Sequence, residues 1–275
     1  MPPDASPILW NALRGRDDPM GDFLDVTFLA ILQGIAEFLP ISSSGHLVIG
    51  QHILKVKDSG MQLDVFLHAG TLISVAVYYR RSLWRIVAGR DFGYAGKILL
   101  STFPAVVVYA LFRDRVDAVF SNARMVGSLL MFTGAVLVGT RFLPAGTRDV
   151  SFLRAIWMGM VQAVALLPGI SRSGMTLAAA RIGRVEPSKS AEFSFLMSAP
   201  LILGGMSLEI LKMLQTPETA VAEGVGVGLL IWGALLSAVV GYFSLVALVT
   251  TLKGRGFWIF GPYCIIVGLL TFAFL

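Results

Sequence analysis

The sequence contains few charged residues for its length. Of its 275 residues, 14% are charged, well below the roughly 25% typical of soluble domains. By contrast, 56% are hydrophobic, and the mean hydropathy is +0.76. A soluble protein of this size could not bury so much apolar surface in one core. The composition therefore predicts an integral membrane protein and excludes a disordered chain and most cytosolic enzymes.

Cysteine is almost absent. Cys264 is the single one, so an intramolecular disulfide is impossible and a secreted disulfide scaffold is excluded. We interpret it as a small packing residue within an apolar run. The net charge of +5 does not require a nucleic-acid partner, because Lys and Arg collect in the cytoplasmic loops of membrane proteins. We therefore expect no nucleic acid.

Residues 1–22 carry mixed charges and lack the pattern of a cleavable signal, so we expect a surface lead-in. Two later apolar segments, 45–56 and 174–182, are too short to span a membrane, which takes about 20 helical residues. Each follows a break that contains Pro and Gly. Because broken helices are tolerated at membrane depth only where they face protein or a wet cavity, we predict re-entrant helical hairpins at 23–56 and 152–182. Six spans are then expected, at 64–79, 95–112, 126–140, 191–214, 225–249 and 257–275.

The two halves of the chain share a pattern. Ile-Ser-x-Ser-Gly begins at Ile41 and again at Ile170, 129 residues later, and Gln33 and Gln162 keep the same offset. Three predicted spans separate the two hairpins, and this odd number makes the second copy inverted. The sequence therefore predicts an all-α polytopic membrane protein with a first repeat at 23–140 and an inverted second repeat at 141–275. Such repeats place their site near the midplane, where they meet.

Loop charges predict the orientation. Basic residues are concentrated in 80–97, 141–154 and 253–255, which should be cytoplasmic, with both termini outside. The 215–224 loop has two glutamates and no basic residue, which suits the outside. The three arginines of 113–124 do not follow this pattern.

One polar cluster runs from Gln33 to His46. Gln33 and Glu37 are four residues apart and share a helix face. Glu37 in an apolar helix needs a partner; it is either a metal ligand or proton acceptor, or the structural ion-pair partner of Arg172. Gln33 alone would be an ordinary interhelical hydrogen bonder. His46 follows a run of serines and can act as acid, base or nucleophile.

Two other histidines are weaker candidates. His52 is expected to face the lipid headgroups, and His68 lies in the next apolar segment.

A second cluster, from Pro168 to Thr176, is typical of an anion site. Arg172 offers a planar fork that matches phosphate, and a helix N-terminus offers free N–H groups. The hydroxyl groups nearby are short donors. The alternative for one serine is N-capping, but capping leaves a buried arginine unexplained. The candidate phosphate contacts are Ser171, Arg172, Ser173, Gly174 and Thr176.

These two motifs, Glu37–His46 and Pro168–Thr176, resemble those of the undecaprenyl-diphosphate phosphatase family, the bacitracin-resistance proteins of bacteria. Residues 63–70 and 191–196 are similar to the family as well, so the resemblance covers nearly the whole chain. It implies hydrolysis of a C55 polyprenyl diphosphate to the monophosphate and phosphate. This reaction recycles the lipid carrier of cell-wall synthesis, supports cell shape and confers bacitracin resistance.

The resemblance also implies a bacterial plasma (inner) membrane location, a site open to the periplasm and a divalent metal, Mg²⁺ or Ca²⁺. The family's first motif has Glu or Gln, three residues and then Glu, which here gives Gln33 and Glu37 as metal contacts. Only Glu37 supplies charge, so the number of metal contacts stays open.

The resulting hypothesis assigns a role to each residue. Arg172 clamps the diphosphate, Glu37 binds the metal or positions water, and His46 and Ser43 lie beside the transferred phosphoryl group, with Ser42 as a substrate contact. The alternative is a transporter or flippase of polyprenyl phosphate, for which Glu37 and His46 would not be needed. A structural scaffold does not explain Arg172 at lipid depth. The lipid substrate and membrane lipid are the expected partners, and homodimerisation stays open.

Overall fold

The computed structural model describes residues 19–54, 60–120, 122–215, 225–254 and 257–275. Within these ranges the regular structure is helical, apart from an isolated bridge between Arg148 and Val185. Short 3₁₀ turns lie at Thr140–Phe142 and Phe257–Ile259. The α-helices are α1 (Pro19–Ala36), α2 (Ser43–Leu54), α3 (Gly60–Tyr78), α4 (Arg80–Val87), α5 (Phe92–Phe120), α6 (Ala123–Gly139), α7 (Phe152–Val164), α8 (Arg172–Ile182), α9 (Pro187–Gln215), α10 (Val227–Lys253) and α11 (Phe260–Phe274).

Five stretches of helix in the described ranges are long and apolar enough to cross a membrane: Phe92–Val116, Ala123–Phe142, Pro187–Leu211, Val227–Lys253 and Phe257–Phe274. They coincide with five of the six predicted spans. The sixth, 64–79, falls in α3, whose apolar part, Gln62–Tyr78, is shorter. The chain is therefore an all-helical, multi-pass membrane protein, as the composition predicted.

The two predicted breaks are present, and each is followed by a short helix. Residues 37–41 form a turn between α1 and α2, and residues 165–171 separate α7 from α8. Both short helices start with a serine cap: the Ser42 Oγ accepts from the Gly45 N–H at 3.3 Å, and the Ser171 Oγ accepts from the Gly174 N–H at 3.1 Å. These caps satisfy N–H groups that a helix start leaves open. Helix, break and helix thus occur in both halves, whereas the inverted orientation stays a prediction.

Backbone conformation explains the sharpness of the breaks. Gly169 has a φ of +97°. Glycine adopts this left-handed backbone conformation at little energetic cost because it has no Cβ. A Cβ there would lie 2.4 Å from the Val126 carbonyl oxygen. Ser42 has a φ of +70°, which is uncommon for a residue with a side chain. Such strain often marks a functional site.

Several predicted boundaries were wrong. The 80–97 stretch, taken as a loop, contains helix α4 and the start of α5. The 113–124 stretch is helical as far as Phe120, beyond a kink at Phe112. Helix α1 begins at Pro19, inside the predicted lead-in. The rest of that lead-in, Glu218 and Glu223 of the 215–224 loop, and Arg255 lie outside the described residues.

Small residues let the long helices approach closely. A Cβ on Gly70 of α3 would lie 2.1 Å from the Ala234 carbonyl oxygen of α10, and one on Gly127 of α6 would lie 2.7 Å from the Gly268 oxygen of α11. Hydroxyl groups add to the first contact, since the Ser74 Oγ donates to the Ala238 oxygen at 2.7 Å. Such close contacts hold helices together where lipid supplies no hydrophobic driving force.

Candidate active site

An ion pair brings the two breaks together. Glu37 directly follows α1, and Arg172 is the first residue of α8. The Arg172 Nη2 donates to the Glu37 Oε1. The two side chains are 18% and 4% exposed, respectively. The contact between the two polar clusters, and specifically the ion-pair alternative for Glu37, is therefore observed.

The other oxygen of Glu37 is also well supplied with donors. The Gln33 Nε2 donates to the Glu37 Oε2 at 3.1 Å, and the Ser43 Oγ donates to the same oxygen at 2.7 Å. The His68 Nε2 lies 3.8 Å from it. A buried carboxylate needs such partners, because desolvation of an unpaired charge is costly. Gln33 and Glu37 thus meet one turn apart at the end of α1, and Ser43 joins them.

Two buried polar atoms beside this pair have no hydrogen-bond partner among the described residues: the Arg172 Nη1 and the Gln33 Oε1. Buried polar groups normally find partners, and each exception calls for an explanation. The first is a cationic donor and the second an acceptor. Their arrangement suits a ligand that carries anionic oxygens and a cation.

The donor set would fit a divalent ion shared with a phosphate-bearing ligand. Within the described ranges no cluster of three or more His, Cys, Asp or Glu residues could hold a metal by itself. Mg²⁺, however, is usually bound through one or two carboxylates and substrate phosphates. The Glu37 carboxylate and the unpartnered Gln33 Oε1 meet that requirement, so the predicted pair of metal contacts is chemically suitable.

Among the described residues, no hydrogen bond or ion pair joins His46 to Glu37. His46 is buried, with 6% of its surface exposed. Its Nδ1 lies 2.9 Å from the Ser42 carbonyl oxygen, and its Nε2 lies 2.8 Å from the Tyr263 hydroxyl group. His46 is, however, three residues after Ser43 on α2, so the two lie on the same helix face.

His68, ranked lower from the sequence, approaches Glu37 more closely than His46 does. Its ring is oriented by the Asp64 carbonyl oxygen, 2.8 Å from the His68 Nδ1. The Asp64 carboxylate in turn accepts from the Gln51 Nε2 at 2.9 Å. His52 is exposed near the end of α2.

The hydroxyl groups of the second cluster are engaged within the protein. Ser171 caps α8, as the capping alternative proposed. The Ser173 Oγ donates to the Leu39 carbonyl oxygen at 3.3 Å. The Thr176 Oγ1 lies 2.8 Å from the Arg172 carbonyl oxygen and 2.6 Å from the Ser194 Oγ. Direct phosphate contacts from Ser42, Ser171, Ser173 and Thr176 stay a prediction, whereas Arg172 has a free N–H group in place.

Sequence reasoning missed Tyr263. It lies in the apolar C-terminal helix, 217 residues from its partner His46. Its only sequence signal is a polar group on an aromatic ring within a lipid-depth segment, where such a group needs a partner. No spacing rule connects positions so far apart.

Known proteins match this chain over most of its length. The family model described as bacitracin resistance protein BacA matches residues 26–270. An undecaprenyl-diphosphatase of Desulforapulum autotrophicum is 37% identical over 268 residues, covering 88% of this chain and 95% of the relative. Undecaprenyl-diphosphatase 4 of Bacillus cereus is 33% identical over 252 residues, covering 90% and 96%. An undecaprenyl-diphosphatase of Desulfosudis oleivorans is 35% identical over 266 residues, covering 88% and 95%. The chain therefore belongs to the bacitracin resistance protein BacA family.

Proposed function

We propose that this protein hydrolyses undecaprenyl diphosphate to undecaprenyl phosphate and inorganic phosphate. The relatives named undecaprenyl-diphosphatase support the reaction and the lipid substrate. In the structure, the observation that carries the proposal is the buried Arg172–Glu37 pair with a free guanidinium N–H beside it. The cation, with its unused donors, can bind a phosphoryl group, and the adjacent carboxylate can orient a water molecule or a hydroxyl group beside it.

Arg172 binds the diphosphate. Its Nη1 has no partner among the described residues, and it starts helix α8, whose N-terminus favours negative charge. When a phosphoryl oxygen takes the Nη1 donors, the guanidinium stays anchored through Nη2 to Glu37. The planar fork therefore fixes the direction of the bound group as well as its charge.

Glu37 prepares the attacking oxygen. The Ser43 Oγ donates to it at 2.7 Å, so the carboxylate orients an oxygen in that position for attack. Either a water molecule in that position or the Ser43 Oγ attacks the terminal phosphorus. The anhydride P–O bond breaks, and undecaprenyl phosphate leaves. After attack by water the other product is inorganic phosphate; after attack by Ser43, a water molecule then hydrolyses the phosphoserine and releases the phosphate. A divalent ion, when bound, neutralises charge on the diphosphate oxygens, and Glu37 with the Gln33 Oε1 would hold it.

The finer topology belongs to the same proposal. The chain has six spans and two re-entrant hairpins in inverted repeats, lies in the bacterial inner membrane and opens its site to the periplasm. The basic residues of 80–97 and 141–154 support a cytoplasmic position for those stretches. In the first of them, α4 carries three arginines beside the exposed Trp84, a composition typical of a helix at the membrane surface.

Phosphate release by the purified protein tests the function. We expect a polyprenyl diphosphate in detergent with Mg²⁺ to yield inorganic phosphate, and Arg172→Ala to abolish the release. A flippase would instead exchange polyprenyl phosphate between the leaflets of proteoliposomes without releasing phosphate. That second result would overturn the hydrolase proposal.

A further inference from the structure

Both ring nitrogens of His46 are occupied. The Nδ1 lies 2.9 Å from the Ser42 carbonyl oxygen, and the Nε2 lies 2.8 Å from the Tyr263 hydroxyl group. The two rings are also stacked, with centroids 5.6 Å apart and an angle of 9° between their planes. His46 therefore has no free nitrogen with which to touch a substrate directly.

These partners determine where the protons of the neutral ring lie. A carbonyl oxygen only accepts hydrogen bonds, so the His46 Nδ1 must carry a hydrogen. In neutral His46 the Nε2 is then the acceptor, and the Tyr263 hydroxyl group donates to it. If the ring gains a proton, it does so at Nε2, and the Tyr263 oxygen becomes the acceptor. A hydroxyl group can serve in both states because its hydrogen rotates.

Burial differs between the two partners. His46 is 6% exposed, whereas Tyr263 is 43% exposed. Of the two side chains, Tyr263 is therefore the one with surface that a membrane lipid or water can contact. His46 itself lies on the helix face of Ser43, one turn from the hydroxyl group that donates to Glu37. The pair is thus linked to the Arg172–Glu37 site through Ser43 and α2.

We propose that Tyr263 is the proton relay of His46 in the hydrolysis reaction. This inference rests on the proposed function. The oxygen that loses a proton during the attack transfers it to the Tyr263 oxygen, while the hydrogen of Tyr263 passes to the His46 Nε2. Tyrosine is unchanged, and the imidazole has become imidazolium. The reverse transfer returns the proton to a product phosphate.

A structural role makes a different prediction. If Tyr263 only packs α11 against α2, its ring stacking matters and its hydroxyl group does not. Tyr263→Phe keeps the ring and removes only the hydroxyl group. The relay predicts a fall in kcat of at least about 10²-fold, the lower end of what proton transfer by a positioned side chain contributes, and little change in KM. Tyr242→Phe is the matched control, because the Tyr242 ring packs against Tyr78 and not against His46, and this variant should retain wild-type turnover.

A double-mutant cycle separates a relay through His46 from an independent contribution. His46→Ala, Tyr263→Phe and the double variant are assayed for phosphate release from a short-chain polyprenyl diphosphate with Mg²⁺. Residues that act as a unit are strongly non-additive. We expect the double variant to match His46→Ala alone. Additive losses, or full activity of Tyr263→Phe, would overturn the relay and leave the hydrolase function standing.

A second measurement does not depend on activity. Diethyl pyrocarbonate modifies an imidazole nitrogen that has a free lone pair, and peptide mapping by mass spectrometry reports the rate at each histidine. In Tyr263→Phe the His46 Nε2 loses its donor, so its modification should become several-fold faster, while His52 and His68 keep their rates. An unchanged rate at His46 would overturn the hydrogen bond itself. A wild-type protein that releases no phosphate would instead overturn the proposed function.

Discussion

The Arg172 guanidinium and the Glu37 carboxylate are paired across 135 residues of sequence and tie the N-terminus of α8 to the turn after α1. Both residues lie at breaks between helices, where some backbone N–H and C=O groups have no partner within a helix. Removal of one partner from a buried pair is costly because the other charge stays desolvated. The same contact therefore contributes to stability and places the two charges that a diphosphate would meet.

Lysine should not replace Arg172. Arg172→Lys preserves the charge but replaces a rigid, five-donor fork with a flexible point charge. Removing one well-placed electrostatic donor costs roughly 10²–10³ in rate in well-studied enzymes, and we expect a loss of about that size in kcat. Kinetics on a short-chain diphosphate in detergent at saturating Mg²⁺ provide the measurement. An Arg172→Lys enzyme within about threefold of wild type would show that only charge matters.

Glu37→Gln should abolish turnover and also lower thermal stability. The substitution keeps size but leaves the Arg172 charge without its partner, and breaking a buried pair costs about 3–5 kcal/mol. The double variant Glu37→Gln/Arg172→Met removes both charges and should recover much of the stability while staying inactive. Thermal unfolding in detergent and phosphate release, measured on the same preparations, separate the two effects. Near-normal turnover of Glu37→Gln would remove Glu37 from the catalytic residues.

Gln33 and its counterpart Gln162 allow a controlled test of the metal site, with Gln162 as the control position. Both are fully buried, and the amide oxygen of each has no partner among the described residues, but only Gln33 contacts a carboxylate. Gln33→Leu should raise the Mg²⁺ concentration needed for half-maximal stabilisation by about tenfold, as loss of a supporting group does at metal sites. Gln162→Leu should leave that concentration unchanged. Thermal-shift titrations with Mg²⁺ and Ca²⁺ after chelation give both values, and equal responses of the two variants would contradict the assignment.

Glycines 70 and 204 should respond oppositely to alanine. A Cβ on Gly70 would lie 2.1 Å from the Ala234 oxygen, whereas one on Gly204 meets nothing within 4 Å. Gly70→Ala therefore forces α3 and α10 apart, and overpacking of this kind costs about 1–3 kcal/mol. Gly204→Ala should be neutral or slightly stabilising, since glycine inside a helix is unfavourable. Unfolding temperatures in one detergent compare them directly.

The orientation of the chain is testable with single cysteines. In a Cys264→Ala background, Ala88→Cys and Thr147→Cys place a thiol at exposed positions of the 80–97 and 141–154 stretches. Both should resist an impermeant thiol reagent in intact cells and react after permeabilisation. Thr219→Cys, in the loop expected outside, is the positive control. Labelling of Ala88→Cys in intact cells would invert the proposed topology.

Sequence patterns predicted the helical class and both breaks, and they offered the Glu37–Arg172 ion pair as one of two alternatives. Each of these depends on local composition or on a repeat that can be counted. The short helix α4 escaped prediction because its three arginines resemble a charged loop when the apolar periodicity covers only two turns. The pairing of His46 with Tyr263 escaped for another reason, since its two members lie on helices whose contact depends on the packing of the whole bundle.

Hydroxyl groups illustrate the same limit at the scale of one motif. The Ser-Arg-Ser sequence at 171–173 and Thr176 resemble a set of phosphate donors in sequence. In the structure, Ser171 caps α8 and Thr176 lies 2.6 Å from Ser194 on α9. Residue type alone could not distinguish a hydroxyl group used for substrate from one used by its own backbone.

The close contacts of Gly70 with α10 and of Gly127 with α11 determine when helix packing can be completed during synthesis. Helices α3 and α6 are translated well before their partners, which begin at Val227 and Phe260. Until the ribosome has passed those positions, neither of these close contacts can form. A chain that stops short of α11 leaves the close contact of α6 unfilled and lacks Tyr263, so the packing of α6 and the proposed proton relay depend on the same segment.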